Sequence, residues 1–126
     1  IAARLKTSTD GEEQVVLRNL QGKVAIANAK MAYQRYQTLF AGSRWDALAR
    51  RGAMTQRLLW ASTGTKNPTY RDVLYVEELI GPETVNTIPP ATLQAFREHG
   101  HPASRLTEGI DEAKMTLLSL EHAGVS

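Results

Sequence analysis

Cysteine is absent from the 126-residue sequence, which excludes disulfide bonds, thiolate metal sites and cysteine nucleophiles within the chain. No run of apolar residues approaches the roughly 18 that a membrane-spanning helix needs, so we expect no membrane insertion. Aromatic residues make up only 6% of the sequence, and the basic residues are not interleaved with them. This pattern disfavours a nucleic-acid-binding surface, where aromatic side chains stack on bases between cationic contacts.

The residues that are present have a globular composition, with 42% hydrophobic and 22% charged residues. A chain of this length is enough for one ordinary domain. No signal peptide is visible, but the sequence begins at Ile1 without methionine. We interpret this start as a processed, cleaved or cropped N-terminus. The lack of cysteine fits a reducing compartment, and we predict a cytoplasmic protein.

Charge is distributed unevenly along the chain. Residues 1–71 contain 12 Lys and Arg against 4 Asp and Glu, whereas residues 72–126 contain 3 against 9. A basic half suits a phosphorylated ligand or a nucleic acid. The alternative, which we favour, is that the charges lie on solvated helix faces and neutralise one another in the folded protein.

Glycine, proline and the spacing of apolar residues divide the chain into helices and short strands. The longest predicted helix begins at Lys23 and ends before Gly42, and its buried stripe is formed by Ala25, Ala29, Ala32, Tyr36 and Leu39. The other predicted helices cover residues 1–7, 12–19, 44–51 (capped by Ser43), 70–80, 90–100 and 108–123 (capped by Thr107). Strands are predicted at residues 57–62 and 84–88.

The two predicted strands are short apolar segments of the kind that parallel sheets bury on both faces. Their alternation with helices indicates parallel βαβ units and an α/β fold class. Two strands do not form a self-sufficient sheet. The sequence therefore predicts either a piece of a larger α/β protein or a chain whose strands are completed by another chain.

The stretch LLWASTGTKNPTYRD, Leu58–Asp72, places a lysine just after the first predicted strand. Ligands usually bind at the carboxyl ends of strands in α/β proteins. The residues close to Lys66 in sequence are donors that suit an anion, most plausibly a phosphate: Ser62, Thr63, Thr65 and Asn67.

Two other roles for Lys66 compete with the phosphate interpretation. A Schiff-base lysine needs a desolvated amine or a neighbouring cation, which so polar a loop does not favour. An ordinary surface lysine is the other alternative. Asn86 and Thr87, which follow the second strand, either line the same pocket rim or satisfy the turn before Pro89.

The remaining ionisable clusters are interpreted as structural. A group of carboxylates could serve as a general acid/base cluster, but a solvated helix face is favoured for Asp72, Glu77 and Glu78. The histidines lack the spacing of a metal site, and we interpret them as structural or surface residues: His99, His101 and His122.

Two motifs, WASTGTKNP and VNTIPPATL, lie within Leu58–Gly100 and carry a family resemblance. This segment resembles the C-terminal part of bacterial transaldolases, above all the longer subfamily that includes fusions with glucose-6-phosphate isomerase. Gly22–Phe40 resembles the preceding helix of the same family, and the likeness weakens after Gly100. The resemblance implies that residues 1–126 are the C-terminal portion of a (β/α)8 barrel domain, with the N-terminal strands absent.

The resemblance also implies an activity, the transfer of a dihydroxyacetone unit between sugar phosphates in the pentose phosphate pathway. That reaction uses a Schiff-base lysine and neither a metal nor an organic cofactor. The family's lysine motif precedes everything in this sequence, so no catalytic residue is expected here and the chain alone is predicted to be inactive.

Ala61 and Ser62 match an alanine-serine pair of the shorter transaldolases, which is followed by a phosphate-binding arginine. Here the cation falls on Lys66 instead. The resemblance therefore implies that Lys66, Ser62 and Asn67 bind the substrate phosphate. The alternative function is a stand-alone, non-catalytic module that binds a sugar phosphate or dimerises to complete its sheet.

Overall fold

The structure is a computed structural model, and it describes residues 1–125. Its helices are α1 (Ala2–Thr7), α2 (Gly11–Leu20), α3 (Val24–Leu39), α4 (Ser43–Arg50), α5 (Leu74–Glu78), α6 (Pro90–His99) and α7 (Ile110–His122). The strands are β1 (Leu58–Trp60) and β2 (Thr84–Asn86). The chain divides into two compact units, one of residues 1–31 with those from Gly109 onward and the other of residues 32–108.

In the first unit, α2 packs against α1 and α7. The Asp10 carboxylate caps α2 by accepting hydrogen bonds from the backbone N–H groups of Glu12 and Glu13. Leu17 and Leu20 supply the buried face of that helix. The described residues of this unit are thus held by helix packing and by side-chain contacts such as the Arg4–Glu13 ion pair, without a strand.

In the second unit, β1 and β2 form a parallel pair with Leu58 opposite Thr84 and Trp60 opposite Asn86. α5 connects them, as the predicted βαβ unit requires. The unit's buried side chains come chiefly from α3, α5 and the segment after α6, and they include Tyr33, Tyr36, Val73, Val76, Leu79 and Leu106. This arrangement places the carboxyl ends of both strands, and the loops that follow them, side by side.

The predicted stripe of α3 is confirmed at Tyr36 but is otherwise wrong in phase. Ala25, Ala32 and Leu39 are exposed, whereas the buried positions are Ala27, Lys30, Tyr33 and Tyr36. The helix carries apolar residues on more than one side, so the period alone did not select the face that is buried within residues 1–125.

Two predicted helix caps are also wrong, because glycine takes the capping position in both cases. α4 begins at Ser43 itself, after Gly42 with φ 86°. α7 begins at Ile110, after Gly109 with φ 63°. Such positive φ angles favour glycine, which has no Cβ to clash. Thr107 consequently lies outside the helix.

β1 is not covered on both faces within this chain, as expected because two strands do not form a self-sufficient sheet. Leu59 is 54% exposed, and β1 pairs only with β2 within residues 1–125. The apolar composition of the strand exceeds what its neighbours here can cover. The helix predicted over residues 70–80 is shorter in the structure, since only Leu74–Glu78 is α-helical.

Candidate functional site

The carboxyl ends of the two strands are joined by a small hydrogen-bond network. The backbone N–H and the Oγ1 of Thr87 both donate to the Trp60 carbonyl, at 2.9 and 3.0 Å. The same Oγ1 accepts from the backbone N–H of Ser62 at 2.8 Å. Thr87 therefore extends the pairing of β1 with β2 by one residue and fixes the start of the loop after β1.

Thr63 makes a second, buried connection between the strand ends. Its hydroxyl donates to Asn86 Oδ1 at 2.8 Å, and its backbone N–H donates to the Thr87 carbonyl at 3.2 Å. Asn86 and Thr87 thus lie at the same rim as the loop after β1. Their described hydrogen bonds join the chain to itself, which favours the structural one of their two predicted roles.

The loop of residues 61–73, here called the Lys66 loop, leaves the sheet through a strained turn. Ser62 has φ 52°, an unusual value for a residue other than glycine. At Gly64 an added Cβ would lie 3.0 Å from Thr92 Oγ1 and 3.1 Å from Pro89 Cγ. The first part of the loop is therefore packed closely against the start of α6.

Lys66 lies at the outer part of this loop and is exposed. Asn67, its neighbour, forms an Asx turn in which Oδ1 accepts from the backbone N–H and the hydroxyl of Thr69, at 3.0 and 2.8 Å. That turn uses the amide oxygen of Asn67 and leaves its NH2 group available as a donor to a ligand. The structure thus brings Ser62, Lys66 and Asn67 onto one exposed loop, as predicted, and their phosphate role stays a prediction.

The carboxylate of Glu77 is not on a solvated face, so that prediction is wrong for this residue. Glu77 is only 4% exposed. The Arg71 guanidinium donates to both of its oxygens, at 2.5 and 3.0 Å, and the His101 backbone N–H donates to Oε1 at 2.8 Å. These donors compensate for burial of the charge.

Asp72 does lie at the surface, as predicted, and its Oδ1 is 2.8 Å from His99 Nε2. This hydrogen bond from His99 lowers the pKa of Asp72. His99, His101 and His122 are all exposed, which confirms their interpretation as surface residues. Among residues 1–125 no group of three or more His, Asp and Glu side chains could hold a metal ion.

The ionisation of Glu77 links this network to pH. Burial raises the pKa of Glu77, but the Arg71 and His101 hydrogen bonds outweigh burial, so the pKa lies below its usual value. A depressed carboxyl pKa contributes stability above the unfolded-state pKa, and this contribution is lost as pH falls through the folded-state pKa.

We therefore expect the full-length protein to lose stability more steeply on acidification than its Glu77→Gln variant does. Thermal unfolding midpoints measured from neutral to acidic pH check this expectation. Glu98→Gln, which removes a carboxylate from the exposed side of α6, is the matched control and should follow the wild type. Equal slopes for the wild type and Glu77→Gln would contradict it.

No helix within residues 1–125 combines the length and apolar character needed to cross a membrane.

The profile of the Transaldolase/Fructose-6-phosphate aldolase family matches residues 2–126. The chain is 48% identical over 126 residues to a transaldolase of Trichodesmium erythraeum, covering all of this chain and 33% of that protein.

Two other relatives give the same result over a shorter span. A transaldolase of Thiobacillus denitrificans is 54% identical over 107 residues, which is 85% of this chain and 30% of the relative. Transaldolase 2 of a Nostoc species is 53% identical over 107 residues, which is 85% of this chain and 28% of the relative. The chain thus spans about a third of the length of the curated relatives it matches.

The parallel strand pair and the surrounding helices are consistent with this match. The fold class is α/β, and the chain is a portion of a (β/α)8 barrel, as predicted. By the match over residues 2–126 and the identities of 48% to 54%, the chain belongs to the Transaldolase/Fructose-6-phosphate aldolase family.

Proposed function

We propose that the complete protein is a transaldolase that transfers a dihydroxyacetone unit from a ketose phosphate to an aldose phosphate. The support is the match to the family over residues 2–126, together with relatives that carry the name transaldolase. Residues 1–126 form a C-terminal part of the barrel domain in this proposal. The protein works in the cytoplasm, in the pentose phosphate pathway, without a metal or organic cofactor.

The reacting lysine lies outside this chain in the proposed mechanism. The lysines other than Lys66 are on helices or in the turn between α2 and α3: Lys6, Lys23, Lys30 and Lys114. None of these four is on a loop that follows a strand, the place where barrel enzymes position reacting groups. A Schiff-base lysine is usually buried or lies beside another cation, whereas Lys66 is exposed on a polar loop.

Lys66 instead binds the substrate phosphate, with Ser62 and Asn67 as supporting donors. The observation that carries this role is the position of an exposed lysine on an anchored loop at the carboxyl edge of a parallel strand pair. Within residues 1–125 no hydrogen bond or ion pair engages the Lys66 ammonium. A lysine meets a phosphate as a point charge rather than through the bidentate fork of arginine, so neighbouring donors contribute to orientation.

Borohydride trapping tests the proposed reaction. Full-length protein is incubated with fructose 6-phosphate and sodium borohydride, which reduces an imine to a stable secondary amine, and the modified peptide is identified by mass spectrometry. We expect one modified lysine, outside residues 1–126, in both the wild type and Lys66→Ala. Protein treated with borohydride but no sugar is the control.

Each other outcome of the trapping experiment points elsewhere. Modification of Lys66 itself would replace the phosphate role with a covalent one. No modification at all would favour the alternative function, a non-catalytic module that binds sugar phosphates or dimerises. The exposed Leu59 of β1 is the observation on which that alternative rests.

We further propose that the protein belongs to the longer subfamily that includes fusions with glucose-6-phosphate isomerase. The mass of the intact protein tests this proposal.

A further inference from the structure

We propose that Glu77 and Arg71 form a clamp that positions the Lys66 loop, which makes Glu77 a positioning residue for phosphate binding. This inference rests on the proposed phosphate role of Lys66. It adds Glu77, which the sequence did not connect with phosphate binding. In this proposal neither Glu77 nor Arg71 contacts the substrate. Their effect is transmitted through the backbone of the loop that carries Lys66.

The clamp joins the end of the Lys66 loop to the segment after α6. Arg71 lies near the end of the loop and presents two nitrogens to the two oxygens of Glu77. Glu77 also accepts from the backbone N–H of His101. One buried carboxylate therefore holds two chain segments that lie far apart in sequence, and bidentate charged hydrogen bonds fix orientation as well as distance.

A second contact reinforces the same connection. Asp72, which follows Arg71, is hydrogen-bonded to His99, which ends α6. Between His99 and His101 the chain passes through Gly100, where an added Cβ would lie 2.3 Å from Phe96 Cδ2 and 2.5 Å from the Phe96 carbonyl oxygen. Glycine therefore lets the extended chain leave α6 close to Phe96 and continue to His101, whose N–H donates to Glu77.

The opposite end of the Lys66 loop is anchored separately. Ser62 and Thr63 are hydrogen-bonded to Asn86 and Thr87 at the end of β2. Lys66 thus lies between two fixed ends. Fixing both ends restricts the positions that the ammonium can reach, and a binding group held in place loses less freedom when ligand binds.

Release of one end should weaken phosphate binding without changing the chemical step. A loop that spends only part of its time in the binding position has its apparent affinity reduced by that fraction. We therefore expect Glu77→Gln in the full-length protein to raise both the KM for fructose 6-phosphate and the inhibition constant of inorganic phosphate by roughly 3- to 10-fold. We expect kcat to stay close to that of the wild type.

The decisive comparison is made in the Lys66→Ala background. If Glu77 acts through the loop, Glu77→Gln should raise the inhibition constant of phosphate by less in the Lys66→Ala background than in the wild type, because the main group that it positions is already gone and only the supporting donors Ser62 and Asn67 remain. Arg71→Ala should reproduce the effect of Glu77→Gln, and Arg71→Lys should restore part of the affinity. Glu98→Gln is the matched surface control and should match the wild type.

The contrary outcomes are distinct. A lower kcat with an unchanged phosphate inhibition constant would show that Glu77 only supports folding, and additive effects with Lys66→Ala would overturn the clamp. If Glu77→Gln does not fold, the two Arg71 variants decide by the same criteria, since that side chain is half-exposed. If Lys66→Ala itself leaves phosphate affinity unchanged, the proposed phosphate role fails first.

Discussion

Replacing Lys66 with alanine in the full-length protein is expected to raise the KM for fructose 6-phosphate by roughly 10- to 150-fold. A hydrogen bond to a charged group contributes about 1.5 to 3 kcal/mol, which corresponds to this range. Because the phosphate lies away from the reacting carbon atoms, the interaction is present both before and during the reaction. Loss of such uniform binding raises KM and leaves kcat nearly unchanged.

Steady-state kinetics on three variants separates this role from its alternatives. Lys66→Arg keeps a cation on the loop and should retain most of the affinity, whereas Lys114→Ala removes an exposed lysine from α7 and should have no effect. An unchanged KM in Lys66→Ala would identify Lys66 as an ordinary surface residue. A loss of kcat by several orders of magnitude would instead indicate the covalent role.

The parts of the fold that could be predicted are those that local sequence signals determine. Pro90 starts α6 at its first helical position, where proline is tolerated, in agreement with the helix predicted over residues 90–100. The β-branched segment around Val85 forms a strand, and its alternation with helices correctly indicated the parallel pairing with β1. These signals can be recognised in the sequence without knowledge of the tertiary structure.

The errors concern features that depend on distant residues. The buried face of α3 is chosen by what packs against it, and Leu39 is exposed although it fits an apolar stripe. Periodicity shows which faces of a helix or strand can be buried. The elements that pack against it determine which of those faces is buried in the folded protein.

The candidate site divides in the same way. Ser62, Lys66 and Asn67 could be placed on one loop because they follow a strand directly in sequence. The role of Glu77 could not, because its partners Arg71 and His101 come from a loop and from a segment 24 residues further along the chain. No periodic pattern connects those positions, so the sequence alone indicated only a carboxylate on the solvated face of a helix predicted over residues 70–80.

The largest effect on stability is expected from the contact between Gly81 and Leu106, which holds the segment after α6 against the end of α5. Leu106 is fully buried, and its N–H and that of Arg105 donate to the Ile80 carbonyl, both at 3.0 Å. We expect Leu106→Ala to lower the free energy of unfolding by about 2 to 5 kcal/mol, the range measured for removing a buried leucine side chain.

Gly81→Ala should destabilise by a different mechanism. The added Cβ would lie 2.6 Å from Leu106 Cδ2 and 2.7 Å from Leu106 Cβ, so it would force the leucine to move. Overpacking of this kind costs about 1 to 3 kcal/mol. Gly11→Ala is the matched control, since a Cβ at Gly11 meets nothing within 4 Å.

The double variant distinguishes the proposed contact from a general intolerance of Gly81 to substitution. Shortening Leu106 removes the atoms that the new Cβ would meet, apart from Leu106 Cβ. The combined loss in the Gly81→Ala, Leu106→Ala variant should therefore be smaller than the sum of the single losses by about 0.5 to 3 kcal/mol. Denaturant unfolding of the full-length variants measures all four corners of the cycle. Additive losses would show that the two residues do not constrain each other, and that the turn at Gly81 is needed for its own backbone geometry.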